Sequence, residues 1–202
     1  IGITAQGKLP IIVPPLKEQE KIVDILSSLD DKIELNNEMN KTLEEMAQSI
    51  FKRWFIDFEF PNEDGQPYKS SGGEMVESEL GMIPNGWEVS TIYDLAEYIN
   101  GTSFKSKDYG ESGLPIIKIA ELKNGITEST KFFLGNKDEK FYLKNRDILF
   151  SWSGNPDTSI DTFIWYKGDA ILNQHIFKVI PKDNIGYSFI YLMLKYLKKT
   201  FT

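Results

Sequence analysis

The chain of 202 residues contains no cysteine and a single histidine, His175. The lack of cysteine excludes disulfides and thiolate metal sites and fits the cytoplasm, and one histidine cannot build a usual transition-metal site. No apolar run reaches the ~18–20 residues of a membrane-spanning helix, and no signal-peptide pattern is present, so no membrane role is expected. No G-x-S-x-G surrounds any serine, which argues against a hydrolase triad. Neither G-x-G-x-x-G nor G-x-x-x-x-G-K-[ST] occurs, so dinucleotide and P-loop chemistry lack their phosphate cradle. The segment SGNPDTS, residues 153–159, approaches two catalytic signatures and completes neither. Asn155–Pro156 opens the N-P-P-[YF] motif of adenine methyltransferases, but Asp157 and Thr158 replace the second proline and the aromatic ring. Pro156–Asp157 opens a metal-dependent nuclease signature, but no [DE]-x-K follows. No catalytic residue, cofactor or metal site is therefore assigned.

Basic charge is scarce as well. The net charge of −7 argues against phosphate binding for the chain as a whole. It is unevenly spread, however. Residues 1–80 hold 8 Lys+Arg against 16 Asp+Glu, whereas residues 81–202 hold 15 against 14. The acidity belongs to the first part, and the second part is electrostatically open to an anionic partner.

Glycine and proline are missing from Lys17 to about Phe58. A helix is expected there, begun by Pro15 and an acidic first turn, in a segment bounded at residues 17–60. At ~1.5 Å per residue it spans on the order of 60 Å. Ile22, Leu26, Leu29, Ile33, Asn36, Asn40, Leu43, Ala47, Ile50 and Trp54 alternate spacings of four and three, the rhythm of a coiled coil. A second stripe of Leu35, Met39, Leu43, Met46 and Ile50 widens the face. Such a helix either lies on its own domain's core or meets a partner helix. Its length favours a partner, since a domain of the remaining size is only ~30 Å across. Asn36 and Asn40 weaken the seam but fix register, because a slipped partner buries them unpaired.

Residues 1–16 are expected to be extended, with Pro10, Pro14 and Pro15 denying helical hydrogen bonds. The chain starts without methionine, so an upstream piece is expected to be missing or processed. Residues 61–80, rich in Pro, Gly, Ser and acid, read as a linker. Beyond them the residues form short β-prone runs: Trp87–Ile92, Pro115–Ile119, Lys131–Phe133, Asp147–Trp152, Thr162–Tyr166 and Ala170–Ile180. Helices are expected at about 91–99 and 187–200. The fold class is α+β, a long coiled-coil-forming helix followed by a strand-rich α+β domain over residues 81–202.

With catalysis unassigned, polar turns at strand ends become the candidate binding surface. Thr102, Ser103, Lys105 and Lys107 lie in a Gly-bounded loop suited to phosphate contact, or simply to solvent. Lys123 and Asn124 form a second turn, and Trp152, Ser153 and Asn155 a third. Trp152 is a candidate wedge or stacking group, or else a core residue. Asn173, Gln174 and His175 interrupt an apolar run that is expected to be one strand. They are either a reading surface, since Asn and Gln pair bidentately with adenine, or a buried polar network.

The chain resembles the specificity subunits of type I restriction–modification systems. LPIIVPPLKEQEKIVDILSSLDDKI (9–33) resembles the family's proline-rich segment and conserved helix, with P-L-x-E-Q-x-x-I at Pro15–Ile22. LEEMAQSIFKRWFIDFEF (43–60) resembles the end of the central conserved region. SELGMIPNGWEVSTIYDLAEYINGTSF (78–104), NRDILFSWSG (145–154) and LNQHIFKVIP (172–181) resemble a target-recognition domain. The resemblance implies a non-catalytic subunit that reads half of a split site in double-stranded DNA. It implies that two conserved helices pair antiparallel, set the gap between half-sites, and dock methylating subunits, with motor–nuclease subunits joining. This chain holds one such helix and one recognition domain, the second by order, so a fragment or half-length variant is expected, and self-association through the helix with it. The alternative is a helical adaptor whose C-terminal domain binds protein instead of DNA.

Overall fold

A computed structural model describes residues 7–198. The start of the expected extended segment, residues 1–6, and the end of the expected last helix, residues 199–200, lie outside the described residues. The chain divides into two units, Ile1–Met46 and Ala47–Thr202. Among the described residues no helix is long and apolar enough to cross a membrane.

The first unit is dominated by helix α1, Leu16–Phe51, whose last residues belong to the second unit. It starts where the composition predicts. Backbone N–H groups of Glu18 and Gln19 donate to the Pro15 carbonyl, and Gln19 Nε2 donates to that of Pro14 at 2.8 Å. These bonds satisfy donors and acceptors at the frayed end. Ile22, Leu26, Leu29, Ile33, Leu43 and Ile50 are exposed along the helix, as are Asn36 and Asn40. Ala47 is half-buried and Trp54 exposed, both in the second unit. Such a stripe is uncovered apolar surface, the mark of an interaction face.

In the second unit α1 does not run on to residue 60. A π-helical turn, Lys52–Ile56, ends it, with Asp57 N–H donating to Lys52 O and Glu59 N–H to Arg53 O. Phe58 then takes φ +60, a left-handed conformation that L-residues adopt at a cost. Its ring packs edge-on against Trp87 at 5.7 Å, which offsets that strain. Phe51 is buried and meets Phe189 and Tyr196, so the end of α1 is fixed on the last helix. Residues 61–80 carry more structure than their composition suggests. Asn62 Oδ1 accepts from the N–H groups of Asp64 and Gln66, and β1 (Met75–Ser78) pairs antiparallel with β2 (Gly81–Pro84).

The expected strand Trp87–Ile92 is absent. Trp87 N–H closes a turn on Pro84 O, and Thr91 caps the four-residue helix α2, Ile92–Leu95, through a capping box with Asp94. The helix expected to 99 ends there. Residues 96–100 form strand β3, whose Ala96 and Tyr98 face one core at period two. The remaining elements are β4 (Tyr109–Gly110), β5 (Leu114–Ile117), α3 (Ile119–Asn124), β6 (Phe132–Phe133), β7 (Tyr142–Leu143), β8 (Ile148–Ser151), α4 (Pro156–Ser159), β9 (Asp161–Ile164), β10 (Ala170–Leu172), β11 (Ile176–Pro181) and α5 (Tyr187–Leu197). One sheet has the order β4-β6-β5-β10-β7 and the other β3-β11-β8-β9.

The alternation of side chains builds three cores from these two sheets. Ile117, Leu143, Leu172 and Ala170 of the first sheet meet Leu149 and Ile176 of the second. Their neighbours turn outward. Ile148 and Val179 pack under Ile190 and Leu194 of α5, while Ile116 and Ile171 pack with Phe133. Fully burying each of the Ile, Leu, Val and Phe side chains among these is worth ~1.5–3 kcal/mol. The fold is therefore α+β, a long helix followed by strand-rich sheets, as the sequence predicts.

Candidate nucleic-acid interface

Strand directions bring the candidate turns together. β10 runs parallel to β5, with Leu172 beside Ile117, and β11 runs antiparallel to both β3 and β8. The C-terminal ends of β3, β5, β8 and β10 consequently lie along one edge. Three groups of candidates follow those ends directly, 102–107 after β3, 152–155 after β8 and 173–175 after β10, whereas 123–124 stand at the far end of helix α3, which follows β5.

The expected single strand from Ala170 to Ile180 is two strands in different sheets, and Asn173–His175 is the link between them. The polar residues break the apolar run because the chain must change sheets there. Asn173 N–H donates to Ile117 O and its carbonyl accepts from Ile176 N–H, so this residue stitches the sheets. It is buried, whereas Gln174 and His175 are exposed. The buried-network reading thus fits Asn173 and not its two neighbours. Thr102 bridges Asn173 in parallel, donating its N–H to Leu172 O at 3.0 Å.

Trp152 stands just past β8 and is 40% exposed, which excludes the core reading. Its Nε1–H donates to Asn100 Oδ1 at 3.2 Å, and its ring lies 5.8 Å from His175 and 5.9 Å from Phe177. Gln174 Nε2 and His175 Nε2 are 3.4 Å apart. A polar groove of about 570 Å³ begins beside this cluster, lined by Asn100, Thr102, Ser103, Lys140, Phe141 and Gln174 among others. Tyr98 also lines it. Its hydroxyl is buried without a hydrogen-bond partner among the described residues, and burial pushes its pKa up to about 12.

Two of the expected turns look different in three dimensions, and Lys123 and Asn124 are not a turn but the last residues of helix α3, which Gly125 ends. Asn155 Oδ1 accepts from Asp157 and Thr158 N–H as the cap of α4, so its amide retains only its donor. Bidentate pairing with adenine is closed to it while that cap holds. Lys105 and Lys107 are exposed around a short 3₁₀ turn that Asp108 closes on Lys105 N–H, and neither has an ion-pair partner among the described residues. No hydrogen bond or shared groove links Lys105, Lys107, Lys123, Asn124 or Ser153 to the Trp152–Gln174 cluster among the described residues. Asn100, Lys140 and Phe141 were not selected from sequence. Asn100–Gly101 at a strand end is a readable turn signal, but nothing local marks Lys140 or Phe141.

The cluster offers amide and hydroxyl groups for base edges, one ammonium for a phosphate, and two aromatic faces for stacking. Among the described residues no group of three His, Asp or Glu side chains is placed to hold a metal ion.

The type I restriction modification DNA specificity domain profile matches residues 6–45 and 84–202. The chain belongs to that family. It is 26% identical, over 96% of its length, to the HindI specificity subunit of Haemophilus influenzae, and 31% identical over 95% to the MjaIX specificity subunit of Methanocaldococcus jannaschii. It covers 54% and 44% of those two proteins, so this specificity domain chain spans about half the length of the curated relatives it matches. Its fold is that of the S subunit from M. genitalium, with a TM-score of 0.53 at 20% identity over 100% of this chain and 47% of that one. The HsdS subunit from Thermoanaerobacter tengcongensis gives 0.50 at 17% identity, over 94% of this chain and 43% of that one.

Proposed function

We propose that this chain is a DNA-recognition component of a type I restriction–modification complex and reads one half of a bipartite duplex site. The observation that carries this reading is the convergence of four strand ends on one polar edge, in a chain of the specificity domain family. Gln174, Asn100 and Lys140 are the groups best placed to touch base edges or phosphate, with Trp152 stacking or wedging beside them. Thr102, Asn173 and His175 hold and flank that edge. Lys105, Lys107 and Ser153 extend it as phosphate-contacting or solvated turns, and Lys123 and Asn124 do so from the end of helix α3. Residues 81–202 act as the recognition domain, 17–60 with helix α1 as the spacer and docking segment, 61–80 as the connection, and 1–16 as the tail of a preceding segment.

The chain contributes recognition and no catalysis of its own. Methylating subunits dock on α1 and motor–nuclease subunits complete the assembly, in the cytoplasm where the DNA lies. Where no second conserved helix is supplied, a second copy of the chain pairs antiparallel with the first through the α1 stripe. Family membership favours this reading over a protein-binding adaptor.

The test is duplex binding, with partner subunits present, by wild-type chain and by Gln174→Ala and Lys105→Ala. Gln174→Ala is expected to cost ~1–3 kcal/mol on the target and little on scrambled duplex. Lys105→Ala should weaken both alike and lower the salt dependence by about one charge. Equal losses on both duplexes for Gln174→Ala would remove its reading role. No duplex binding at all would favour the adaptor.

A further inference from the structure

The second unit carries an apolar groove of about 570 Å³, walled by Phe55, Phe58, Trp87 and Phe189, with Leu80 and Met82 at its mouth. The wall is preformed. Trp87 packs on Phe55, Phe58 and Phe60 at 5.9, 5.7 and 5.2 Å between ring centroids. Leu80 is 78% exposed at the tip of the β1–β2 hairpin, an expensive place for leucine without a partner. Glu88 lines the groove, and Glu77 and Glu79 stand on the same hairpin as Leu80, Glu77 opposite Met82; all three are exposed and without an ion pair among the described residues.

The first unit presents the complementary object. Residues 7–17, GKLPIIVPPLK, hold two lysines, no acid and three prolines. Leu9, Ile11, Ile12 and Val13 are exposed, Ile12 fully so at 99%. Proline-rich segments hold an extended conformation with little left to lose on binding, and aromatic-lined grooves are the surfaces that take them.

The α1 stripe says which copy supplies the segment. Its spacings are symmetric about Glu38, so an antiparallel copy sets Ile22 opposite Trp54, Leu26 opposite Ile50, Leu29 opposite Ala47, Ile33 opposite Leu43, and Asn36 opposite Asn40. Every apolar position then meets an apolar one, and the two asparagines meet each other. Continued by the same count, Glu20 of one copy reaches the level of Ile56, where the helix of the other ends, so Leu16 and the residues before it pass beyond that end, toward the aromatic wall that follows it. A parallel pair instead brings two lysine-flanked tails together and two acidic hairpins together, which like charge disfavours.

We propose that this groove binds residues 9–15 of a second copy of the chain, its glutamate rim facing Lys8 and Lys17. The proposal rests on the antiparallel self-pairing put forward above and adds a second contact to it. Because the chain has no cysteine, single-cysteine variants report proximity without background. Ile12→Cys and Leu80→Cys chains, differently tagged, are mixed and treated with a short bismaleimide. Asn36→Cys with Asn40→Cys reports the helix register, and Ile12→Cys with Asn124→Cys is the control. Cross-linked mixed dimers are expected from the first two pairs and not from the control. Helix cross-links without tail–groove cross-links above control overturn the tail contact and leave self-pairing intact. Neither cross-link, with a chain that sediments as a monomer, overturns both. Glu77→Lys with Glu79→Lys should raise the dimer dissociation constant about tenfold at low salt, and Lys8→Glu with Lys17→Glu should restore it. Failure of that rescue overturns the assignment of this rim to that tail.

Discussion

Gly101 is held to glycine by the carbonyl groups of Leu172 and Asn173, which pass where a Cβ would sit. Backbone cannot step aside as a side chain can, so Gly101→Ala must push the Asn173–His175 link away from β3. The expected cost is ~1–3 kcal/mol, as for other overpacking changes. It should read out as a lower denaturant midpoint together with weaker duplex binding, because the shifted link carries Gln174. Unchanged stability would mean the link is free to move. Tyr98 makes the opposite case. Its ring meets Phe177 edge-on at 6.0 Å, but its buried hydroxyl has no hydrogen-bond partner among the described residues. Tyr98→Phe keeps the ring and removes that unsatisfied group, so a gain of about 1 kcal/mol in chemical denaturation is expected. A loss would reveal a hydrogen bond to the hydroxyl and refute this account of the site. At this scale the sequence shows residue types well and neighbours poorly. Gln174 and Trp152 stand out as polar or aromatic breaks in apolar runs. Lys140 and Phe141 sit on an unremarkable 3₁₀ turn and join the groove only because β3 passes beside it.

Long elements with one dominant period were legible, and short ones decided by pairing were not. α1 announces itself through its stripe and its lack of Gly and Pro. Residues 92–99 have apolar residues compatible with a helix, yet only Ile92–Leu95 is helical. The stretch beyond is claimed by antiparallel pairing with β11, from Ala96 beside Pro181 to Asn100 beside Phe177. The two-residue strands β4 and β7 carry too few side chains to show any period. α5 shows how one residue secures an element. Asp161 at the start of β9 faces Lys195 at 3.1 Å and Lys198 at 3.0 Å and accepts from Thr162 N–H at 2.7 Å. Burial alone would raise its pKa, but the Lys195 charge, the Lys198 hydrogen bond and the Thr162 N–H together hold it below its ordinary 3.8. A depressed folded pKa means that this stabilisation is present above the unfolded value and is lost as pH falls through the folded one. Asp161→Asn leaves two part-buried lysines facing a neutral amide, at an expected cost of ~2 kcal/mol near pH 7. Thermal melts of wild type and variant should converge as pH drops below about 4. A constant gap across that range would mean that packing, not charge, carries the effect.

The uneven charge of the chain takes on meaning at the level of the assembly. Acid is concentrated in the part proposed to choose a partner and an orientation, and it is nearly balanced in the part proposed to approach DNA. The exposed stripe sets the strength of that choice. Each Ile or Leu buried from water contributes on the order of 1.5–3 kcal/mol, and half of that over the six Ile and Leu positions of each copy comes to ~9–18 kcal/mol, against an association cost of ~4–15 kcal/mol. A dimer at micromolar concentrations is therefore expected of this chain alone. In the register centred on Glu38, Ile33 faces Leu43 and Ile50 faces Leu26, and two-fold symmetry repeats each layer. Ile33→Asp with Ile50→Asp consequently sets four carboxylates against leucine. None gains a partner from the seam, so each either stays charged at a large desolvation cost or takes up a proton. Both routes cost more than the original isoleucines contributed. Sedimentation at tens of micromolar should show dimers for wild type and monomers for the variant. The melting of the second unit should be little changed, because Ile33 lies outside it and Ile50 is already exposed at its edge. A wild-type chain that sediments as a monomer at that concentration removes the second copy as the occupant of the stripe, and the face must then be kept for a different helix.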